Sequence, residues 1–205
     1  MSDAGVAARD DAIAAMLPHV PSLGWSVAAL RAGLVGRGGD AGAAEWLFDD
    51  VAAGMIAAFI DRADREMEAD VAAIDMAGLR VPQRVHAVIA ARLRRMGPHR
   101  AAVRRAAGVL MLPRNGRVAL RCTARTVDAI WHAAGDRSAD FNWYTKRALL
   151  AGIYTTTLLF WLRQEEEDDA ATLAFLDRRL AGSGRIGAVR RRVEGMLARF
   201  RPAAA

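Results

Sequence analysis

The groups in this 205-residue chain that could move a proton or hold a metal are few and scattered. His19, His86, His99 and His132 have neither the spacing of a metal pair on one helix nor that of a nucleophile with its base. Cys122 stands alone, which excludes an internal disulfide framework and a multi-cysteine metal site. It suits a small hydrophobe in a core helix. Glu165–Asp169 is a run of five acids with no histidine beside it. It reads as a solvated loop, with Asp168 capping the helix that follows. No Glu-x-x-His occurs, so the chain has no di-iron motif of its own. Gly36–Gly39 lacks the Gly-Lys-Ser/Thr ending of a phosphate loop. The residues therefore point to a protein that is not an enzyme, with no cofactor and no metal.

The chemistry that remains is apolar. DFNWYTKRALLAGIYTTTLLFWL, residues 140–162, opens with Asp140, Asn142, Trp143, Tyr144, Lys146 and Arg147. Fifteen residues without a charge follow, Ala148 to Leu162. Both faces of this predicted helix are apolar beyond Arg147, so other helices should surround it. Thr155, Thr156 and Thr157 are unusual in such a place; their hydroxyls can bond back to the preceding turn and leave methyls to line a cavity. Trp143 and Tyr144 are adjacent, about 100° apart on a helix, so they cannot both face one core.

The elements that must position these residues are all helical. Hydrophobic residues make up 53% and aromatics 6%, alanine dominates the apolar count, and no β-alternation appears. Alanine loses no side-chain entropy in a helix. Ala4–Leu17 is a first helix, stopped by Pro18 and Pro21. Ser26 is an N-cap for a short helix to Leu34, GRGG breaks it, and Ala41–Phe48 forms another short one. A long helix runs from Asp49 to about Ile74. Pro82 opens the next, to Met96, Pro98 another through Leu112, and Asn115 or Gly116 one to Ala134. Asp140–Gln164, Asp168–Leu180 and Arg185–Phe200 complete the chain. The division expected is residues 1–48 as a degenerate helix-turn-helix, 49–184 as a helical body and 185–205 as a basic amphipathic helix.

Charge is unevenly spread. Residues 40–75 hold ten acids against Arg62 and Arg65, while residues 76–127 hold twelve arginines and no acid. Two short helices around a glycine turn, followed by a long helix, is the order of a helix-turn-helix on a bundle. The would-be recognition segment carries Asp40, Glu45, Asp49 and Asp50 and no lysine or arginine. Contact with a phosphate backbone needs cations, so no nucleic-acid partner is expected.

At DFNWYTKR, preceded by VDAIWHAAGDRSA and followed by TLAFLDRRL, the chain resembles the lipid-binding accessory family of ubiquinone (coenzyme Q) biosynthesis, the ninth protein of that series. The resemblance is strong over residues 127–180 and weaker over nearly the whole chain. It implies a tetracycline-repressor-type all-α bundle that no longer serves DNA, and an internal cavity for an isoprenoid quinone intermediate or a phospholipid. It also implies docking onto the di-iron demethoxyubiquinone hydroxylase, contact with the membrane surface through a C-terminal amphipathic helix, and a homodimer.

Three sets of residues follow. Ile153, Thr157, Leu158 and Trp161 are expected to line the lipid cavity. Asp128 and Trp131 share a face of their helix; with Trp143, Tyr144 and Lys146 they have the aromatic and charged composition of an interface hot spot, expected to dock the hydroxylase. Ile186, Val189, Val193, Met196, Leu197 and Phe200 fall on one helical face behind the glycines of Gly182–Gly184. With Arg190 they form the expected membrane-binding helix.

A ligand-responsive repressor with the same helical body is the alternative function, and a lipid-binding dimer without a hydroxylase partner a third. Met1–Leu17 carries Asp3, Asp10 and Asp11, unlike a signal peptide or an acid-poor transit peptide. No apolar run reaches the roughly 20 residues of a bilayer span. The expected location is therefore the cytoplasm of a bacterium, peripheral to the inner membrane.

Overall fold

The computed structural model describes residues 3–48, 52–135, 143–164 and 169–182, and among these there is no strand. Among the described residues nine α-helices follow one another, some of them joined by short 3-10 turns: α1 (Asp3–Met16), α2 (Val20–Leu23), α3 (Val27–Gly36), α4 (Ala53–Ala72), α5 (Val81–Met96), α6 (Arg100–Leu110), α7 (Gly116–Ala133), α8 (Trp143–Arg163) and α9 (residues 170–182). The start signals act as their chemistry requires. Ser26 caps α3 by accepting from the Ala29 N–H at 3.2 Å, and Pro82 lies in the first turn of α5, where its missing N–H is harmless.

The helix expected over Ala41–Phe48 is instead a five-residue 3-10 turn, Ala41–Glu45. Asp40 accepts from the Gly42 N–H at 2.8 Å, a side-chain turn that competes with an α-helical start. Asp49 and Asp50 lie outside the described residues.

α4 is the axis of the molecule, packing on α1, α5 and α7. Its buried stripe is Met55, Ile56, Phe59, Ala63, Met67 and Val71. α1 and α3 cross so closely that a Cβ on Gly33 would fall 2.5 Å from the Ala15 carbonyl. Arg62 donates to the Asp10 carbonyl at 2.7 Å and Arg65 pairs with the Asp10 carboxylate at 2.5 Å, fastening α1 to α4. The first helices belong to the same core as the body. Trp25 packs on Phe59, ring centroids 5.4 Å apart, and donates its indole N–H to the Ala102 carbonyl of α6 at 3.1 Å.

Candidate functional site

α4, α5, α6, α7 and α8 leave a hollow between them of about 240 Å³, just below the roughly 300–1,000 Å³ usual for small-molecule sites. Its wall is mostly hydrocarbon: Phe59 from α4, Met96 from α5, Val103, Ala106 and Leu110 from α6, Ala119 from α7, and Leu158 and Leu159 from α8. The hollow runs from inside to outside. Arg92, Thr126 and Tyr154 line it and are buried, whereas Met111 and Leu159, also in its lining, are 77% and 44% exposed.

The buried end is polar and charged. Arg92 donates through Nε to the Tyr154 hydroxyl at 2.9 Å, and its Nη1 lies 3.0 Å from Asp64 Oδ1. Thr126 donates to Asp64 Oδ2 at 3.0 Å, and Arg125 reaches the same carboxylate at 3.7 Å. Burial raises the Asp64 pKa above its ordinary value, against the pull of Arg92. Burial likewise raises the Tyr154 phenol, opposed by Arg92, and the Cys122 thiol. Cys122 is buried and lines the hollow; a thiol held protonated is a poor nucleophile. No group of three or more metal-ligating side chains occurs among the described residues.

Of the four α8 residues expected to line the lipid cavity, Leu158 lines this hollow. Ile153, Thr157 and Trp161 occupy the adjacent stripe, four residues apart. Ile153 faces a separate crevice of about 110 Å³ with Trp131, Lys146 and Leu180. Thr157 is fully buried and donates to the Ile153 carbonyl at 2.8 Å. Trp161, also fully buried, donates its indole N–H to Asp169 at 2.7 Å, and the Arg100 guanidinium lies 4.3 Å above its ring. Asp169 is thus half-buried and doubly bonded, with Arg100 at 3.0 Å, and not the last acid of a solvated run. Glu165 to Asp168 lie outside the described residues.

Sequence reasoning missed Tyr154 and Leu159 on α8, and Arg92 and Asp64 altogether, whereas Thr155, one of the three threonines singled out for a cavity, does line the hollow. A signal for Arg92 and Asp64 existed. Arg92 continues the apolar stripe Val85, Val88, Ile89 at helical spacing, and Asp64 stands between Phe59 and Met67 on the buried face of α4. A charge in register with a core stripe has to find a partner inside.

The expected docking residues gather at one α7–α8 corner. Asp128 is about half exposed and pairs with Arg147, and Trp131 shares the small crevice with Lys146. Tyr144 is 77% exposed. Trp143 begins α8, but its side chain lies outside the described residues, as does Asp140. The membrane-binding set, Ile186 to Phe200, lies wholly outside them. No helix among the described residues is long and apolar enough to cross a membrane.

An all-helical body with an apolar cavity behind a helix-turn-helix-like start defines a class, the tetracycline-repressor-type fold. The crystal structure of the TetR transcriptional regulator from Nitrosomonas europaea matches it with a TM-score of 0.69, over 87% of this chain and 98% of that one, at 21% identity. That likeness concerns the fold alone. Residues 116–187 match the COQ9 family model. The chain is 32% identical over 189 residues to the ubiquinone biosynthesis protein COQ9, mitochondrial, of Bos taurus, covering 89% of this chain and 59% of that protein. It is 33% identical to the Rattus norvegicus protein of the same name, with 89% and 60% covered, and 32% identical to that of Homo sapiens, with 89% and 59% covered. The chain is thus similar to the COQ9 proteins, as DFNWYTKR indicated, and spans about 60% of the length of these relatives.

One expectation is corrected by these relatives. They are named as mitochondrial, which overturns a bacterial cytoplasmic location. The acids of the first seventeen residues do not bear on the matter, because a match to 59% of a relative does not establish where the protein starts.

Proposed function

We propose that this protein serves ubiquinone biosynthesis as a non-catalytic lipid-binding accessory, holding an isoprenoid quinone intermediate or a phospholipid in the hollow between α4 and α8. The observation that carries the reading is the hollow itself: a hydrocarbon-walled space open at Met111 and Leu159, in a chain related to proteins named for that pathway. The α7–α8 corner with exposed Tyr144 is the surface offered to the demethoxyubiquinone hydroxylase, which would supply the di-iron chemistry. A basic C-terminal helix would bring the complex to the membrane surface. The small exposed residues Ala148 and Gly152 on α8 suit close approach of a second copy in a homodimer. A 3-10 turn without bases at Ala41–Glu45 supports this reading over a repressor.

Mass spectrometry of an organic extract of the purified protein tests it. An isoprenoid quinone intermediate or a phospholipid near one per chain is the expected result. A lipid-free protein that also takes up neither from vesicles would end the proposal.

A further inference from the structure

The turn between α6 and α7 stands at the mouth of the hollow and exposes large apolar side chains. Met111 is 77% exposed, Leu112 38% and Leu120 73%. The turn is braced from beneath. Asn115, largely buried, donates through Nδ2 to the Val109 carbonyl at 2.8 Å, and its N–H donates to the Leu112 carbonyl at 2.9 Å. On α7, Arg117, Leu120, Arg121 and Ala124 recur at intervals of three and four and are all exposed, so they share one outer face. The other side of the same turns, Ala119, Cys122 and Thr123, lines the hollow. Arg114, Arg117 and Arg121 are exposed and make no ion pair among the described residues. Residues 76–127 contain no acid to offset them, and the next carboxylate along this face, Asp128, is engaged by Arg147.

We infer that Met111, Leu112 and Leu120, rimmed by Arg114, Arg117 and Arg121, form a surface that docks on an anionic phospholipid bilayer and seats the mouth of the hollow against it. This surface is separate from the C-terminal helix of the reading above, extends that reading's membrane contact, and stands whether or not the hollow is filled. The chemistry selects a bilayer. Exposed aliphatic side chains beside arginines match an interface with acyl chains below and phosphates at its rim, where both kinds of group are satisfied at once. A protein hot spot is typically anchored by an aromatic, and residues 100–130 contain none. A second copy meeting this face across a two-fold axis would set the arginines against their own equivalents. Because Asn115 already holds the turn, little conformational freedom is lost when it is covered. Met111 belongs to both the turn and the wall of the hollow, so an apolar molecule leaving past it reaches the bilayer without crossing water.

A positional experiment in the full chain decides the matter. Met111→Cys, Leu120→Cys and, as a control on α3, Val35→Cys each carry a polarity-sensitive nitrobenzoxadiazole; Cys122 is buried and does not compete for the label. The vesicles are phosphatidylcholine alone and phosphatidylcholine with phosphatidylglycerol at roughly 3:1, which gives a negative surface. Emission at 111 and 120 should brighten and shift to the blue on the anionic vesicles and respond less on the neutral ones, while position 35 stays unchanged. In the unlabelled protein, each of Arg114→Gln, Arg117→Gln and Arg121→Gln should weaken anionic-vesicle binding about fivefold at an unchanged melting temperature. Unchanged emission at 111 and 120 in protein that sediments with the vesicles overturns this surface and leaves the C-terminal helix as the membrane contact. Vesicle affinity unmoved by all three arginine variants overturns it too. Emission at 111 that rises with protein concentration before any vesicle is added assigns the turn to a second copy and overturns the bilayer. Protein that sediments with neither vesicle overturns this inference and the membrane contact of the reading above together, and leaves extractable lipid as a separate question.

Discussion

Asp64 on α4 and Arg92 on α5 meet at 3.0 Å in the interior, and each is less than 5% exposed. Such a pair adds little net stability, because both ions have left water. Losing one partner is different, since the other is then stranded. Arg92→Met should destabilise the protein by about 3–5 kcal/mol, measured by urea unfolding. The double variant Asp64→Leu/Arg92→Met should recover much of that loss. A double variant no more stable than the sum of the singles would show that the charges are not coupled.

The same carboxyl gives a pH signature. Burial holds Asp64 above its ordinary 3.8, so the folded state binds this proton more tightly than the unfolded one. Its contribution to stability is complete below the unfolded value and is lost as pH rises through the folded value. Melting temperatures of the wild type and Asp64→Asn, compared from about pH 7 down to about pH 4, should therefore shift in favour of the wild type as pH falls. A constant difference would rule the raised carboxyl out.

Neighbouring positions on α8 should respond differently to one bulky substitution. Leu158 lines the hollow, so Leu158→Trp should empty it of extractable lipid with little change in melting temperature. Thr157 is fully buried, so Thr157→Trp overpacks the core and should cost about 1–3 kcal/mol or more. Loss of lipid without loss of stability in Thr157→Trp would place the ligand on the wrong stripe here.

The α7–α8 corner can be tested through Tyr144, which is 77% exposed. Tyr144→Ala should change stability by no more than about 0.5 kcal/mol. If the corner docks the hydroxylase, capture should weaken by more than about 2 kcal/mol, the scale of a hot-spot aromatic. Undiminished capture in a pull-down would remove Tyr144 from the docking surface.

Trp161 has a structural role to lose. Trp161→Phe keeps most of the ring area and deletes the N–H bonded to Asp169 at 2.7 Å. The expected cost is about 1.5–3 kcal/mol, as for other hydrogen bonds to a charged group, with bound lipid unchanged. An unaltered urea midpoint would show that the bond contributes nothing.

How far the sequence could be read depended on where chemistry was local. Ser26 and Pro82 announce helix starts because a cap and a missing N–H act within one turn. The turn at Ala41–Glu45 was missed because Asp40 and Gly42 compete with helix by a side-chain bond that spacing does not reveal. The threonines were legible as back-bonding groups: Thr156 donates to the Gly152 carbonyl at 2.7 Å and Thr157 to that of Ile153. Which stripe of α8 faces the hollow was not legible, since a helix apolar all round has no preferred face. Arg92 and Tyr154 stand 62 residues apart, and only tertiary packing brings that pair together.

Helix α6 has two occupations. Val103, Ala106 and Leu110 wall the hollow, while its Ala102 carbonyl holds the indole of Trp25 and Arg105 donates to the Pro21 carbonyl at 2.6 Å. Whatever stiffens α6 from the inside is therefore felt by the N-terminal segment, across a distance that no ligand spans. Trp25 becomes a natural optical probe of occupancy: its emission and the exchange rate of its indole proton should respond when the hollow fills, without any label having to be attached.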